Sequence, residues 1–199
     1  MMNAAVLIGM MRSRLRDEAK EGWSDQELID SINFALSAIA HRLLPWKSRY
    51  TFTAQIGIDT YPLPVDFMAP IALIYDGVMI PVKGNQWALS NDGNDQIAFL
   101  NGTALILTQV PDQEVEVSLN YHALIQIADI SDELYIFPEI VDTVLFYALS
   151  LAIQKEPHEQ SLAQSKYYMS LYESRCKDVS AVEAKRRSGI TLKSTYQKV

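Results

Sequence analysis

Three histidines, His41, His122 and His158, and one cysteine, Cys176, are the residues of this sequence best suited to acid–base work, nucleophilic attack or metal binding. Their spacing argues against all three uses. Each falls in a different predicted element, and no two have the close pairing that a zinc or redox motif needs. His41 lies near the end of a predicted helix, where a cation complements the dipole. His122, beside Tyr121 in a predicted strand, reads as packing, and His158, just after Pro157, as part of a helix start. Cys176 shares a helical stripe with Met169 and Tyr172, which makes an inert buried thiol its default, and a lone cysteine forms no internal disulfide.

The carboxylates offer no better case. Asp129, Asp132 and Glu133 flank a strand-to-helix junction, where negative charge suits a loop or a helix N-terminus without any proton transfer. No serine or cysteine stands on a strained strand-to-helix turn, and no GxGxxG, GxxxxGK[ST] or DxDxDG pattern occurs, with only 8 glycines in 199 residues. Lys185-Arg186-Arg187 reads as a solvated helix end before it reads as a phosphate contact. The sequence predicts no catalytic residue, no metal and no cofactor.

The elements that hold these residues follow from composition and periodicity. At 49% hydrophobic and 21% charged, 199 residues suffice for one sizeable core or two small lobes. Twenty-four acidic against 17 basic residues give a net charge of −7, which opposes a main role in gripping phosphate backbones. The opening MMNAAVLIGMMRSRLR has no basic stretch before its apolar run and is shorter than a membrane span, so it reads as a first amphipathic helix of a protein made in the cytosol.

Residues 4 to about 20 carry that helix, ending before Gly22. Ser24-Asp25-Gln26-Glu27 has the form of a capping box that starts a second helix, with an apolar stripe through Leu28, Ile32, Ala35, Leu36, Ile39 and Leu43, stopped by Pro45. From Arg49 to Leu124 the pattern changes to short strands. Tyr50–Ala54 and Thr60–Leu63 are expected to pair as a hairpin around Gly57. Asp76-Gly77 and Asn101-Gly102 suit type I′ turns between further strands, and Val115–Leu124 completes a small sandwich or barrel. After Asp132 a third helix is expected from Pro138 to about Gln154. A fourth, from about His158 past Val182, has the seam Leu162, Ser165, Met169, Tyr172, Cys176 and Val179. The fold class is therefore α+β: a helical bundle of N- and C-terminal helices (1–47 and 126–187), an inserted antiparallel β-sandwich or barrel lobe (48–125) and an extended tail (188–199).

The stretch DTYPLPVDFM, Asp59 to Met68, sets Tyr61 and Leu63 before prolines, which hold both extended, and leaves the chain to turn at Val65-Asp66-Phe67. Chemistry alone makes it a strand-ending corner. Its pattern Tyr61-Pro62-Leu63-Pro64-Val65-Asp66-Phe67, preceded by Leu44-Pro45-Trp46 and followed by Leu134-Tyr135-Ile136-Phe137-Pro138-Glu139, resembles the adaptor proteins of tailed bacteriophages over nearly the whole chain. The nearest match is to the head-to-tail adaptors of short-tailed phages, the tail tubular A or gatekeeper class.

That resemblance implies a non-enzymatic virion protein at the head–tail junction, made in the host cytoplasm. It implies a ring, expected to be dodecameric, beneath the portal protein, carrying a tail nozzle or other next tail component, with DNA passing through the lumen and no membrane involved. It also implies that the C-terminal segment reaches the portal. The tail KRRSGITLKSTYQKV has no helical face and a basic excess, and Ile190, Leu192, Lys193, Tyr196 and Val199 are its candidate partner-binding residues, alternating in part as an added strand would. A ligand-binding β-domain carried on a helical bundle is the other class that the pattern admits.

Overall fold

A computed structural model describes residues 2–84, 96–155 and 158–187. The chain divides into two compact units, Met1–Leu43 with Gln126–Val199, and Leu44–Ile125. The described residues form an α+β fold of four helices and ten strands.

In the first unit, a short strand β1 (Met2–Asn3) pairs antiparallel with β10 (Glu133–Leu134). Helix α1 (Ala4–Leu15) follows at once, because Asn3 caps it through Oδ1 to the Val6 N–H at 3.0 Å. Two more orphan N–H groups, of Ala4 and Ala5, donate to the carbonyls of Asp132 and Ile130. The helix is shorter than its sequence suggests. Arg16 turns left-handed at φ 57, and the Asp17 N–H donates back to the Arg12 carbonyl at 2.9 Å, closing the last turn.

Helix α2 (Asp25–Leu43) starts at the predicted capping box: the Glu27 N–H donates to Ser24 Oγ at 3.2 Å, and the Ser24 N–H to Glu27 Oε2 at 2.8 Å. It ends where Pro45 pushes Leu44 out of the helical region, to φ 49. Helix α3 (Pro138–Ile153) is buried over most of its circumference and packs on α1, α2 and α4 (Glu159–Arg187). Leu7, Met11, Leu28, Ile32, Leu36, Ile39, Leu145 and Cys176 are all fully covered. Each such aliphatic side chain contributes about 1.5–3 kcal/mol of burial. On α4, Ser165, Tyr172, Cys176 and Val179 are buried as the seam predicts, but Leu162 is exposed.

The second unit holds two four-stranded sheets: β2 (Lys47–Ala54), β9 (Val115–Ala123), β4 (Phe67–Tyr75) and β5 (Val78–Ile80) in one, and β3 (Thr60–Pro62), β8 (Ala104–Leu107), β7 (Ala98–Asn101) and β6 (Val82–Gly84) in the other. Both sheets feed one core, including Tyr61 and Leu105 from one and Leu73, Val117, Leu119 and Tyr121 from the other, so the unit is a sandwich. It is not wholly antiparallel, since β6 and β7 run parallel.

Strand pairing departs from the sequence reading in several places. β2 and β3 do not form a hairpin: β2 pairs with β9, and β3 pairs with β8 in the other sheet. The five residues around Gly57 thus carry the chain between sheets, with the Gly57 N–H donating to Pro111 O at 3.1 Å. Pro81, which has no N–H for a ladder, separates β5 from β6 and marks another change of sheet. Asp76 and Gly77, at φ 49 and 74, do make the expected turn between β4 and β5. Asn101, in contrast, pairs with Ala104, so the two-residue loop is Gly102-Thr103 with Gly102 first at φ 59.

Candidate interaction surfaces

The residues with chemical potential are held apart by the fold. His41 bonds the Ser37 carbonyl through Nδ1 at 2.8 Å on α2, His122 lies in β9, and His158 precedes α4. Cys176 is buried on α4 against Tyr172, and burial pushes its thiol pKa up, the opposite of an activated nucleophile. Asp129 and Asp132 cap their own loop: Ser131 donates to Asp129 Oδ1 from N and Oγ, and the Ala128 and Asp129 N–H groups donate to Asp132 Oδ2. The Ser131 N–H holds the Asp129 carboxyl below its ordinary range. Among the described residues no three His, Cys, Asp or Glu side chains are grouped to hold a metal, and no helix is long and apolar enough to cross a membrane.

The corner at Asp59–Met68 is built from its own side chains. Tyr61 Oη accepts the Gln55 N–H at 3.0 Å and donates to the Ile58 carbonyl at 2.6 Å, pinning the chain crossing between the sheets. Leu63 N–H donates to Thr103 O, and Phe67 N–H to Pro64 O at 3.0 Å, which closes the turn after the second proline. Asp66 Oδ1 accepts from Tyr121 O–H at 2.8 Å, and the Phe67 ring lies 5.6 Å from that of Tyr121. Each polar or aromatic member of the motif is used inside the lobe.

Two clusters that sequence reasoning missed stiffen the helical unit. Buried Arg12 joins Asp17 at 2.5 Å, the Trp23 carbonyl at 3.0 Å and Asp25 at 2.6 Å, while Asp17 accepts the Gly22 and Trp23 N–H groups. Those N–H bonds, Gly22 first, hold the Asp17 carboxyl below its ordinary value despite burial. Arg42 on α2 forks onto Glu173 of α4 at 2.9 and 2.7 Å and sits over the Tyr172 ring. Burial and the Cys176 thiol push the Tyr172 hydroxyl up to about 12. An arginine followed five residues later by an aspartate was the only sequence trace of the first cluster, and such pairs are common.

Two open grooves differ in the charge of their walls. One, of about 810 Å³ in the helical unit, is lined by Arg14, Arg16, Trp23, Gln164 and Tyr167 and, among the described residues, by no carboxylate. The other, of about 440 Å³ in the β unit, is lined by Asp76, Val78, Val110 and Asp112 and by no lysine or arginine. Ile190, Leu192, Lys193, Tyr196 and Val199, the candidate partner-binding residues, lie outside the described residues.

A comparison with protein-family models matches residues 2–192 to the SU10 adaptor protein family. The chain belongs to that family. The match spans both units and every described element, so membership rests on nearly the whole sequence and not on the corner motif alone. It makes the chain a phage structural adaptor, a component that works through contact with other head and tail parts of the virion. None of the curated proteins compared with the chain matches it.

Proposed function

We propose that this adaptor is a head-to-tail connector: it docks beneath the portal ring, closes into a ring of its own copies, carries the next tail component and lets DNA pass through the lumen. The family match over residues 2–192 is the observation that supports this reading. Its place is then the head–tail junction of the virion, and its work is assembly without catalysis. The resemblance of Tyr61–Phe67 to short-tailed phage adaptors favours the tail tubular A or gatekeeper class and a dodecameric ring. A net charge of −7 agrees with a channel part that DNA slides past, since a strongly basic lumen would hold the phosphate backbone.

Co-sedimentation with purified portal rings tests the proposal. The chain is expected to join them at a fixed stoichiometry and to appear below the portal as a ring in electron micrographs. A chain that stays free at every ratio is not a connector.

A further inference from the structure

A ring closes only if each protomer carries two different faces that fit each other. Two faces of this chain carry opposite charge. At one end of the β unit, β2 finishes where β9 begins, with Ala54 paired to Val115. β4 finishes there too, with the Asp76 N–H on the Glu116 carbonyl at 3.2 Å, and the Asp59 carbonyl accepts from Leu107 N–H. The loops 55–59, 76–77 and 108–116 therefore share that end. They carry Asp59, Asp76, Asp112, Glu114 and Glu116 and no lysine or arginine.

This end is also apolar. Ile56 is 63% exposed, Val78 65% and Val110 53%. The 440 Å³ groove is lined by Val78 and Val110, and Gln96 Oε1 in its wall is buried without a hydrogen-bond partner among the described residues. Asp112 and Asp76 lie close enough to the Tyr75 hydroxyl to add to the effect of its burial in raising its pKa.

The groove in the helical unit presents the opposite character. Arg14 and Arg16 form no ion pair among the described residues, although the chain as a whole is acidic. Arg14 is stacked over the Phe146 ring at 5.3 Å, which fixes its guanidinium at the groove. Tyr167, 58% exposed, adds an aromatic wall, and Gln164 adds an amide. A guanidinium pair beside an aromatic surface suits carboxylates carried on an apolar rim.

We infer that the acidic, apolar end of the β unit of one copy seats in the Arg14/Arg16 groove of a second copy, and that this is the repeating contact of the ring. The inference rests on the connector reading for its biological setting, but the contact itself is a property of the chain. Opposite charges on the two faces set the register and discourage acidic-to-acidic and basic-to-basic pairing.

Charge reversal in two variants tests it. Arg14→Glu with Arg16→Glu reverses the charge of the groove, and Asp76→Lys with Asp112→Lys reverses the two carboxylates of the opposing groove wall; unchanged circular dichroism and melting establish that both fold. At high protein concentration and low salt, the wild-type chain is expected to show concentration-dependent sedimentation. Each variant alone loses it, with association weakened about tenfold or more. An equimolar mixture of the two regains a heterodimer, because the two reversed faces, now Lys against Glu, are complementary again, as the two unaltered faces are. Wild-type sedimentation that never depends on concentration, or variants that associate as wild type does, overturns the inference, as does a mixture with no heterodimer. If the arginine variant loses binding to a DNA duplex but keeps self-association, the groove serves phosphate and the inference is also wrong. Scored on portal rings, the connector reading stands apart: rings that still form with both variants remove this contact but keep the connector, whereas wild type that ignores portal removes the connector.

Discussion

Tyr61 shows how a residue that looks like a recognition element is consumed by the fold. Its hydroxyl holds both Gln55 N–H and Ile58 C=O, so it ties down the segment that leaves one sheet for the other. Tyr61→Phe is predicted to cost about 1–2 kcal/mol, because two partly buried backbone groups lose their partner while the ring stays packed; urea unfolding measures it, and an unchanged midpoint would show water replacing the hydroxyl without loss. Glu27 supports a prediction in pH. Its carboxyl is drawn down from 4.5 to about 2, first by the Lys155 ammonium and then by Ser24. A group whose folded pKa is depressed contributes fully above its unfolded value and loses that contribution as pH falls. The wild-type melting temperature should therefore drop more steeply between about pH 4.5 and 2 than that of Glu27→Gln. Parallel curves for the two proteins would mean that the half-exposed pair is screened to nothing. The Ser24/Glu27 box was readable in the sequence because its partners sit three residues apart, whereas the Arg12, Asp17 and Asp25 cluster was not, because a folded turn brings its members together.

The same division between local and distant partners separates the elements that the sequence foretold from those it did not. Helices α2, α3 and α4 and the Asp76-Gly77 turn are local objects, set by 3.6-residue periodicity, caps, prolines and positive φ. β2 and β3 are close in sequence and looked like a hairpin, yet their partners lie over 60 residues away, in β9, and over 40 away, in β8. Nothing in a strand's own residues states which other strand it will join. β1 and β10 are two residues each and carry no periodicity at all. The Asp76-Gly77 turn gives the element-scale prediction. Gly77 sits at φ 74 in open space, so Gly77→Ala meets no clash and pays only for its left-handed backbone, about 1 kcal/mol. A melting shift of a few degrees is expected, and a stabilised variant would mean that the turn relaxes to another type.

At the scale of the whole molecule, two units with separate cores and open faces belong to a part that completes itself on a partner. The exposed apolar residues are scattered in small groups, as Ile56, Ile58 and Val110 at the loops of the β unit and Tyr167 on α4. Such groups, a few hundred Å² at most, do not drive a permanent oligomer, which needs a larger and more apolar interface. Copies of charge −7 also repel one another at a distance. In the proposed ring, contact between the acidic end and the Arg14/Arg16 groove is local and weak, and docking on a portal would raise the effective concentration of the copies until the ring closes. The isolated protein is therefore predicted to run as a monomer in dilute buffer at physiological salt and to assemble cooperatively once portal rings are added. Light scattering on a size-exclusion column reads the first state, and sedimentation of portal against increasing adaptor reads the second. A large ring that persists in dilute buffer without portal would show that the interface is far stronger than its exposed side chains allow, and simple, uncooperative filling of portal sites would show that neighbouring copies do not touch.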